Sequence, residues 1–201
     1  SINHFSKVLQ SASFSSLTVG GGTQSLLEEE QIACLGEALA RNIRPHQEGE
    51  RTFEANPSSI TLGKLAVLKK WGFNRISYGV QSLEGKVLKL NGRGYQSLES
   101  VERAIQWAQE SGFEHVNVDL LAGLHGDDRE SMRRSLEGVV RLRPSSICLD
   151  FLYVTSDYHA LFPTALQRYR QRRRSHLNMM VRLAESLGYE SHKVFNYEDR
   201  A

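Results

Sequence analysis

Three consecutive glycines, Gly20, Gly21 and Gly22, close a short β-branched and apolar run in the stretch SSLTVGGGTQS, residues 15–25. Glycine loses more backbone freedom on folding than any other residue, so three together point to a main chain that turns sharply or lets another group approach closely. By themselves they suit a phosphate as well as any other polar ligand. Other reaction chemistries find little support. Cys34 and Cys148 are isolated on apolar segments, with no metal-ligand spacing and no disulfide framework, and read as buried free thiols. The seven histidines are scattered with no pair at metal spacing. RYRQRRRSH, residues 168–176, concentrates positive charge that could meet substrate carboxylates or a phosphate backbone, but a solvated helix face is the simpler reading.

The glycines have to be positioned by regular elements, and the hydrophobic periodicity supplies them. Five strand-like runs, SLTV, RTFEAN, RISYGVQ, HVNVDLL and SICLDFLYV, alternate with helical patterns in SLLEEEQIACLGEALARN, TLGKLAVLKKW, SLESVERAIQWAQES and SHLNMMVRLAESL. Strand alternating with helix predicts parallel βαβ units. Ser25 with Glu28, and Ser97 with Glu99, read as helix starts. WGFNRIS, SGFEHVNV and LGYESHKV repeat a glycine followed by an aromatic, which predicts left-handed helix caps at Gly72, Gly112 and Gly188 and a sixth strand over ESHKVFNY. Trp71 and Trp107 fall on apolar helix stripes and are expected in the core.

Successive side chains of a strand point to opposite faces, and here every strand splits by parity. Leu17 and Val19 oppose Thr18 and Gly20, and Phe53 and Ala55 oppose Glu54 and Asn56. Ile76, Tyr78 and Val80 oppose Ser77, Gly79 and Gln81. Val116, Val118 and Leu120 oppose Asn117 and Asp119, and Ile147, Leu149 and Phe151 oppose Cys148 and Asp150. Helix-covered parallel strands normally read as continuous apolar runs, and closed barrels fill their interior with Val, Ile and Leu. A polar face on every strand is therefore a ligand cavity or a sheet open to water on one side.

Composition sets outer limits. With 201 residues, 40% hydrophobic, 24% charged and 8% aromatic, the chain suits a single domain over residues 1–201. No apolar stretch approaches the roughly 20 residues of a membrane span, and no signal-peptide pattern opens the chain, so no membrane partner and a cytoplasmic location are expected. A formal net charge of +2 is too small to argue for nucleic acid. The first residue is Ser1 and not Met, which predicts a piece truncated from something longer.

The ordered series TVGGGTQSLL, FEANP, NRISYGVQSLE, LNGRGY, HVNVDLLAGL and LGYESHKVFNY resembles the radical S-adenosylmethionine (SAM) enzymes, specifically the oxygen-independent coproporphyrinogen III oxidase-like group, over nearly the whole chain. The resemblance implies an α/β fold, a partial (β/α) barrel of parallel strands with helices outside, whose polar interior binds SAM beside a [4Fe-4S] cluster. It implies that Gly20, Gly21, Gly22 and Thr23 meet the amino group of the SAM methionine and that Glu54 contacts SAM. By the same resemblance Gln81 serves the ribose hydroxyls, Arg93 the methionine carboxylate and Asp119 the nucleoside. It further implies an electron donor for the cluster and a small-molecule substrate, a tetrapyrrole among the candidates, that is oxidised, decarboxylated or methylated through a 5′-deoxyadenosyl radical. No catalytic residue is assigned.

The sequence also departs from that group. The cluster is held there by a Cys-x3-Cys-x2-Cys loop after the first strand, thiolates being what an iron–sulfur cluster requires. SINHFSKVLQSASFSS, which precedes the glycine strand, has no cysteine. His125 in AGLHGD stands where the group usually has proline. Two readings follow: the central piece of a radical SAM enzyme, inactive alone, with its cluster ligands outside this chain, or a degenerate non-catalytic relative that binds a tetrapyrrole, a nucleotide or a partner.

Overall fold

The computed structural model describes residues 14–43, 45–151 and 163–190, with side chains described outside 45–48 and 163–173. Among the described residues, five parallel strands lie side by side in chain order: β1 (Phe14–Val19), β2 (Pro45–Ala55), β3 (Arg75–Gln81), β4 (His115–Ala122) and β5 (Ser146–Phe151). The connections carry α1 (Glu29–Asn42), α2 (Leu62–Lys70), α3 (Gly85–Leu90), α4 (Leu98–Glu110) and α5 (Arg129–Arg141), and α6 (Pro163–Ser186) follows β5. Sequential strand order belongs to (β/α) barrels, whereas a doubly wound sheet reverses at a switch point.

The repeated glycine–aromatic pairs end three helices by one mechanism. Gly72, Gly112 and Gly188 have φ of +80°, +75° and +94°, conformations that cost glycine nothing. In each case the amide of the following aromatic reaches a carbonyl five residues back: Phe73 to Leu68, Phe113 to Ala108 and Tyr189 to Ala184, each at 3.1 Å. This is the Schellman pattern, and it turns the aromatic back onto the helix it ends. Helix starts are equally local. Ser97 Oγ accepts from the Ser100 amide at 3.1 Å, and Asp128 accepts from the Glu130 and Ser131 amides at 2.9 and 2.8 Å.

Strand parity separates the two faces as the sequence predicts. Phe53, Ile76, Tyr78, Val80, Val116 and Val118 are fully buried against helices that contribute Ile32, Leu65, Leu68, Ile105 and Leu136. Trp71 and Trp107 are half-buried against this core. The other face is polar: Ser77 and Asn117 are buried there among hydrogen-bonding neighbours, while Glu54, Cys148 and Asp150 are exposed.

Four expectations need correction or fall, wholly or in part, outside the described residues. The helix after the glycines begins at Glu29 and not at Ser25, because Glu28 and Gln31 cap it reciprocally; Ser25 sits in a 3-10 turn (Gln24–Leu26) and is fully buried. Cys34 and Cys148 are both exposed, not buried: Cys34 lies on the outer side of α1 and Cys148 on the polar parity of β5. The sixth strand over ESHKVFNY falls on residues outside the described ones, apart from Glu190. The basic run 168–176 lies on α6, where the Arg168–Arg173 side chains are outside the described set, Arg174 is exposed and His176 is half-buried.

Candidate functional site

The space cleared by Gly20 is filled by a carboxylate. A Cβ added there would lie 2.6 Å from the Glu54 carboxyl carbon and from one of its oxygens, so the absence of a side chain lets Glu54 rest against the β1 terminus. The Gly21 amide donates to Glu54 Oε2 at 3.3 Å. Gly21 and Gly22 adopt φ of +92° and +77° with open space where a Cβ would stand, so their role is conformational. Gln24 donates from its side-chain amide back to the Gly21 carbonyl and closes the turn. Thr23 is exposed at the start of the 3-10 turn, and its side chain makes no capping bond.

Two strands along, β3 ends in an irregularity. Its pairing with β4 shifts register between Gly79 and Gln81, and Gln81 adopts φ of +67°, a left-handed conformation costing a non-glycine residue roughly 1–3 kcal/mol. Gln96, in the loop after α3, grips this site from both sides: its amide nitrogen donates to the Val80 carbonyl at 2.7 Å and to the Ser82 carbonyl at 3.4 Å. From the same loop Arg93 Nη1 donates to the Gly79 carbonyl at 3.2 Å. Gln81 Oε1 is buried without a hydrogen-bond partner among the described residues. A buried amide acceptor left unpaired is costly.

Asp119 completes the constellation on β4. By register it pairs with Gly79, and Ser77, which pairs with Glu54, donates to its two carboxylate oxygens at 3.3 and 3.1 Å. Asn117 donates to Asp119 Oδ1 at 2.7 Å and to Ser77 Oγ at 2.8 Å, while Ser146 donates to Asn117 Oδ1 at 2.7 Å. Burial raises the Asp119 pKa; the bonds from Ser77 and Asn117 work against this, and the Glu54 carboxylate adds to it. On the neighbouring strand, partial burial and then the Asp119 and Asp150 carboxylates push the Cys148 thiol up to about 11. At neutral pH it is therefore protonated as a free thiol.

Glu54, Gln81, Arg93 and Asp119 thus converge with Gly20 and Gly21 at the C-terminal ends of β1–β4. Sequence reasoning missed Gln96, Asn117 and Ser77 as their supports. The parity pattern places Ser77 and Asn117 on the polar face, while nothing local marks Gln96.

The same charge logic holds at the start of α5. Burial pushes the Asp127 carboxyl up to about 6, with Asp128 adding to the effect against a hydroxyl bond from Ser131; its Oδ2 is buried without a partner among the described residues. The folded state therefore binds this proton more tightly than the unfolded chain, where the value is near 3.8. Stability from this group is complete below the unfolded value and is lost as pH rises through about 6. Asp127→Asn should flatten the pH dependence of urea unfolding between pH 4 and 7 and stabilise the protein at pH 7 by about 1–3 kcal/mol. An unchanged pH slope in the variant refutes the assignment.

A family profile described as Radical SAM superfamily matches residues 5–138. The chain belongs to the radical SAM superfamily. It is 35% identical over 125 residues to the heme chaperone HemW of Bacillus subtilis, covering 62% of this chain and 33% of that one. It is also 35% identical over 133 residues to the oxygen-independent coproporphyrinogen III oxidase of Escherichia coli, covering 66% and 29%. The crystal structure of coproporphyrinogen III oxidase (HemN) from E. coli, which its description calls a radical SAM enzyme, superposes with a TM-score of 0.79 at 28% identity over 94% of this chain and 44% of that one. The radical SAM chain therefore spans about a third or less of the length of these curated relatives. Its five strands and their helices form a half-barrel matching part of the radical SAM core.

Radical SAM proteins use SAM and a [4Fe-4S] cluster. The residues of this radical SAM chain fit the first: two carboxylates, a buried unpaired amide oxygen and a guanidinium suit a ligand with an ammonium, a carboxylate and ribose hydroxyls. They do not fit the second. The chain has two cysteines, on α1 and β5, and among the described residues no group of three or more His, Cys, Asp or Glu could hold a metal ion.

Proposed function

We propose that the C-terminal ends of β1–β4 bind SAM, and that the protein is a radical SAM oxidoreductase or transferase acting on a tetrapyrrole-like substrate. The observation that supports this most is the Glu54 carboxylate resting in the space of Gly20, on the strand next to the one that carries the unpaired Gln81 oxygen. Glu54 and carbonyls of the glycine turn accept from the methionine ammonium. Arg93 exchanges its single bond to the Gly79 carbonyl for a charge-assisted pair with the methionine carboxylate. Gln81 Oε1 and Asp119 accept from ribose and nucleoside donors, and Ser77 and Asn117 keep the Asp119 oxygens oriented. When bound, SAM supplies a sulfonium whose one-electron cleavage is the source of the hydrogen-abstracting radical in this family. The tetrapyrrole class rests on the relatives named for heme and coproporphyrinogen.

Calorimetric titration tests the site. The protein should bind both SAM and 5′-methylthioadenosine, which lacks the amino-acid end. Arg93→Ala should weaken SAM by about 1.5–3 kcal/mol, the worth of a hydrogen bond to a charged group, and leave 5′-methylthioadenosine unchanged. No SAM binding by the parent, or equal losses for both ligands, rejects the reading.

The second reading is a binding module without a cluster. Anaerobic reconstitution of the whole gene product with iron and sulfide separates the two. Iron–sulfur absorbance with 5′-deoxyadenosine release supports the enzyme, and neither signal supports the module.

A further inference from the structure

Lys64 is out of place by every local rule. It is the third residue of α2, where the helix dipole favours acids, and it is only 7% exposed, whereas lysines are almost never buried unpaired. Its ammonium donates to two backbone carbonyls, Ser25 at 2.9 Å and Ser59 at 3.1 Å. The same place is tied twice more: the Ser25 and Ser59 hydroxyls lie 2.6 Å apart, and the Asn56 amide donates to Ser25 Oγ at 2.8 Å. Ser25 continues the turn that Gln24 closes onto Gly21, and Asn56 and Ser59 belong to the loop that leaves β2 just after Glu54. Lys64 therefore joins the segment carrying the glycines to the segment carrying Glu54, across sequence separations that no local bond could bridge.

We propose that Lys64 is a positioning residue for the amino-acid half of the ligand: its buried ammonium clamps the glycine turn at the distance from Glu54 that lets both meet the methionine end. Two carbonyls held by one ammonium cannot drift apart without leaving a buried charge unsolvated, so the clamp is stiff. Gln81, Gln96 and Asp119 are held by bonds that do not involve it, so the nucleoside end is independent of it. The inference rests on the SAM reading above.

The test compares the protein with its Lys64→Met variant, which keeps an unbranched apolar stem and removes the donors. Amide exchange is followed at Leu26, Leu27 and Asn56, whose bonds lie within the knot, with Tyr78 in the β3 core as the control. Lys64→Met should accelerate exchange at those three amides and not at Tyr78. It should weaken SAM and S-adenosylhomocysteine about tenfold, with 5′-methylthioadenosine changed less than twofold. Unchanged SAM affinity overturns the proposal, as do parallel losses for all three ligands. Should Lys64→Met not fold, Lys64→Gln, whose shorter side chain keeps a neutral amide and removes the charge, carries the same comparison with the same criteria. If the parent binds no SAM, the functional reading fails by itself, and the exchange rates alone decide the clamp: unchanged rates at Leu26, Leu27 and Asn56 overturn it.

Discussion

Gly20→Val should cost the protein its SAM affinity while leaving its fold nearly intact. The added Cβ would lie 2.6 Å from the Glu54 carboxyl carbon, closer than real contacts allow, so one of the two must move. Glu54 is exposed and its end is flexible, whereas β1 is held by its parallel pairing to β2. The side chain therefore swings away at little cost in stability, within the roughly ±0.5 kcal/mol of ordinary surface changes. Its departure removes the carboxylate proposed for the methionine ammonium and leaves the Gly21 amide without that acceptor. Losing a hydrogen bond to a charged group costs about 1.5–3 kcal/mol, or about 10- to 150-fold in affinity. Titration of SAM into Gly20→Val and Glu54→Ala should give losses of similar size, and the double variant little more than either, because both act through one carboxylate. Full SAM affinity in Gly20→Val would remove Glu54 from the site.

Phe53→Ala carries the largest expected loss of stability. Phe53 has no exposed surface and meets Phe73 edge to face, with ring centroids 5.7 Å apart. Truncating a buried phenylalanine typically costs about 3–5 kcal/mol through lost transfer energy and the cavity left behind. Phe73 is the aromatic that follows the Gly72 cap, so the cavity also loosens the end of α2. Urea unfolding should show a lower midpoint with an unchanged slope, and a loss below about 1 kcal/mol would contradict close packing at this point. Phe53 also precedes Glu54 on β2, which makes the apolar face the rigid backing of the polar one.

Much of this architecture is legible because it is written in short-range patterns. Parity along each strand depends on neighbouring residues, and the caps at Gly72, Gly112 and Gly188 involve bonds across five residues. The faces and helix ends follow from such local rules. Where the reading of Ser25 failed, the reason is equally physical. A serine before an acidic run suits a helix cap, but its hydroxyl is taken by Asn56 and Ser59, more than thirty residues away. Cys34 failed as a core residue because an apolar neighbourhood in sequence does not say which face of a helix a side chain occupies, while Cys148 follows the strand parity that puts it on the polar face. The family resemblance brought together Glu54, Gln81, Arg93 and Asp119 as a set, but not what holds them.

By itself, the sequence determined a parallel sheet with one apolar and one polar face, three glycine-capped helices and a glycine turn kept free of side chains. All of these are encoded within a few residues of where they act. Only the tertiary structure decided that the Glu54 carboxylate fills the space at Gly20, that Gln96 holds Gln81 in a left-handed bulge, and that a buried Lys64 ties two loops together. The physical reason is sequence separation. Apart from the Lys64–Ser59 bond, these contacts join residues 14 to 39 positions apart, and their energies exist only once the strands are side by side.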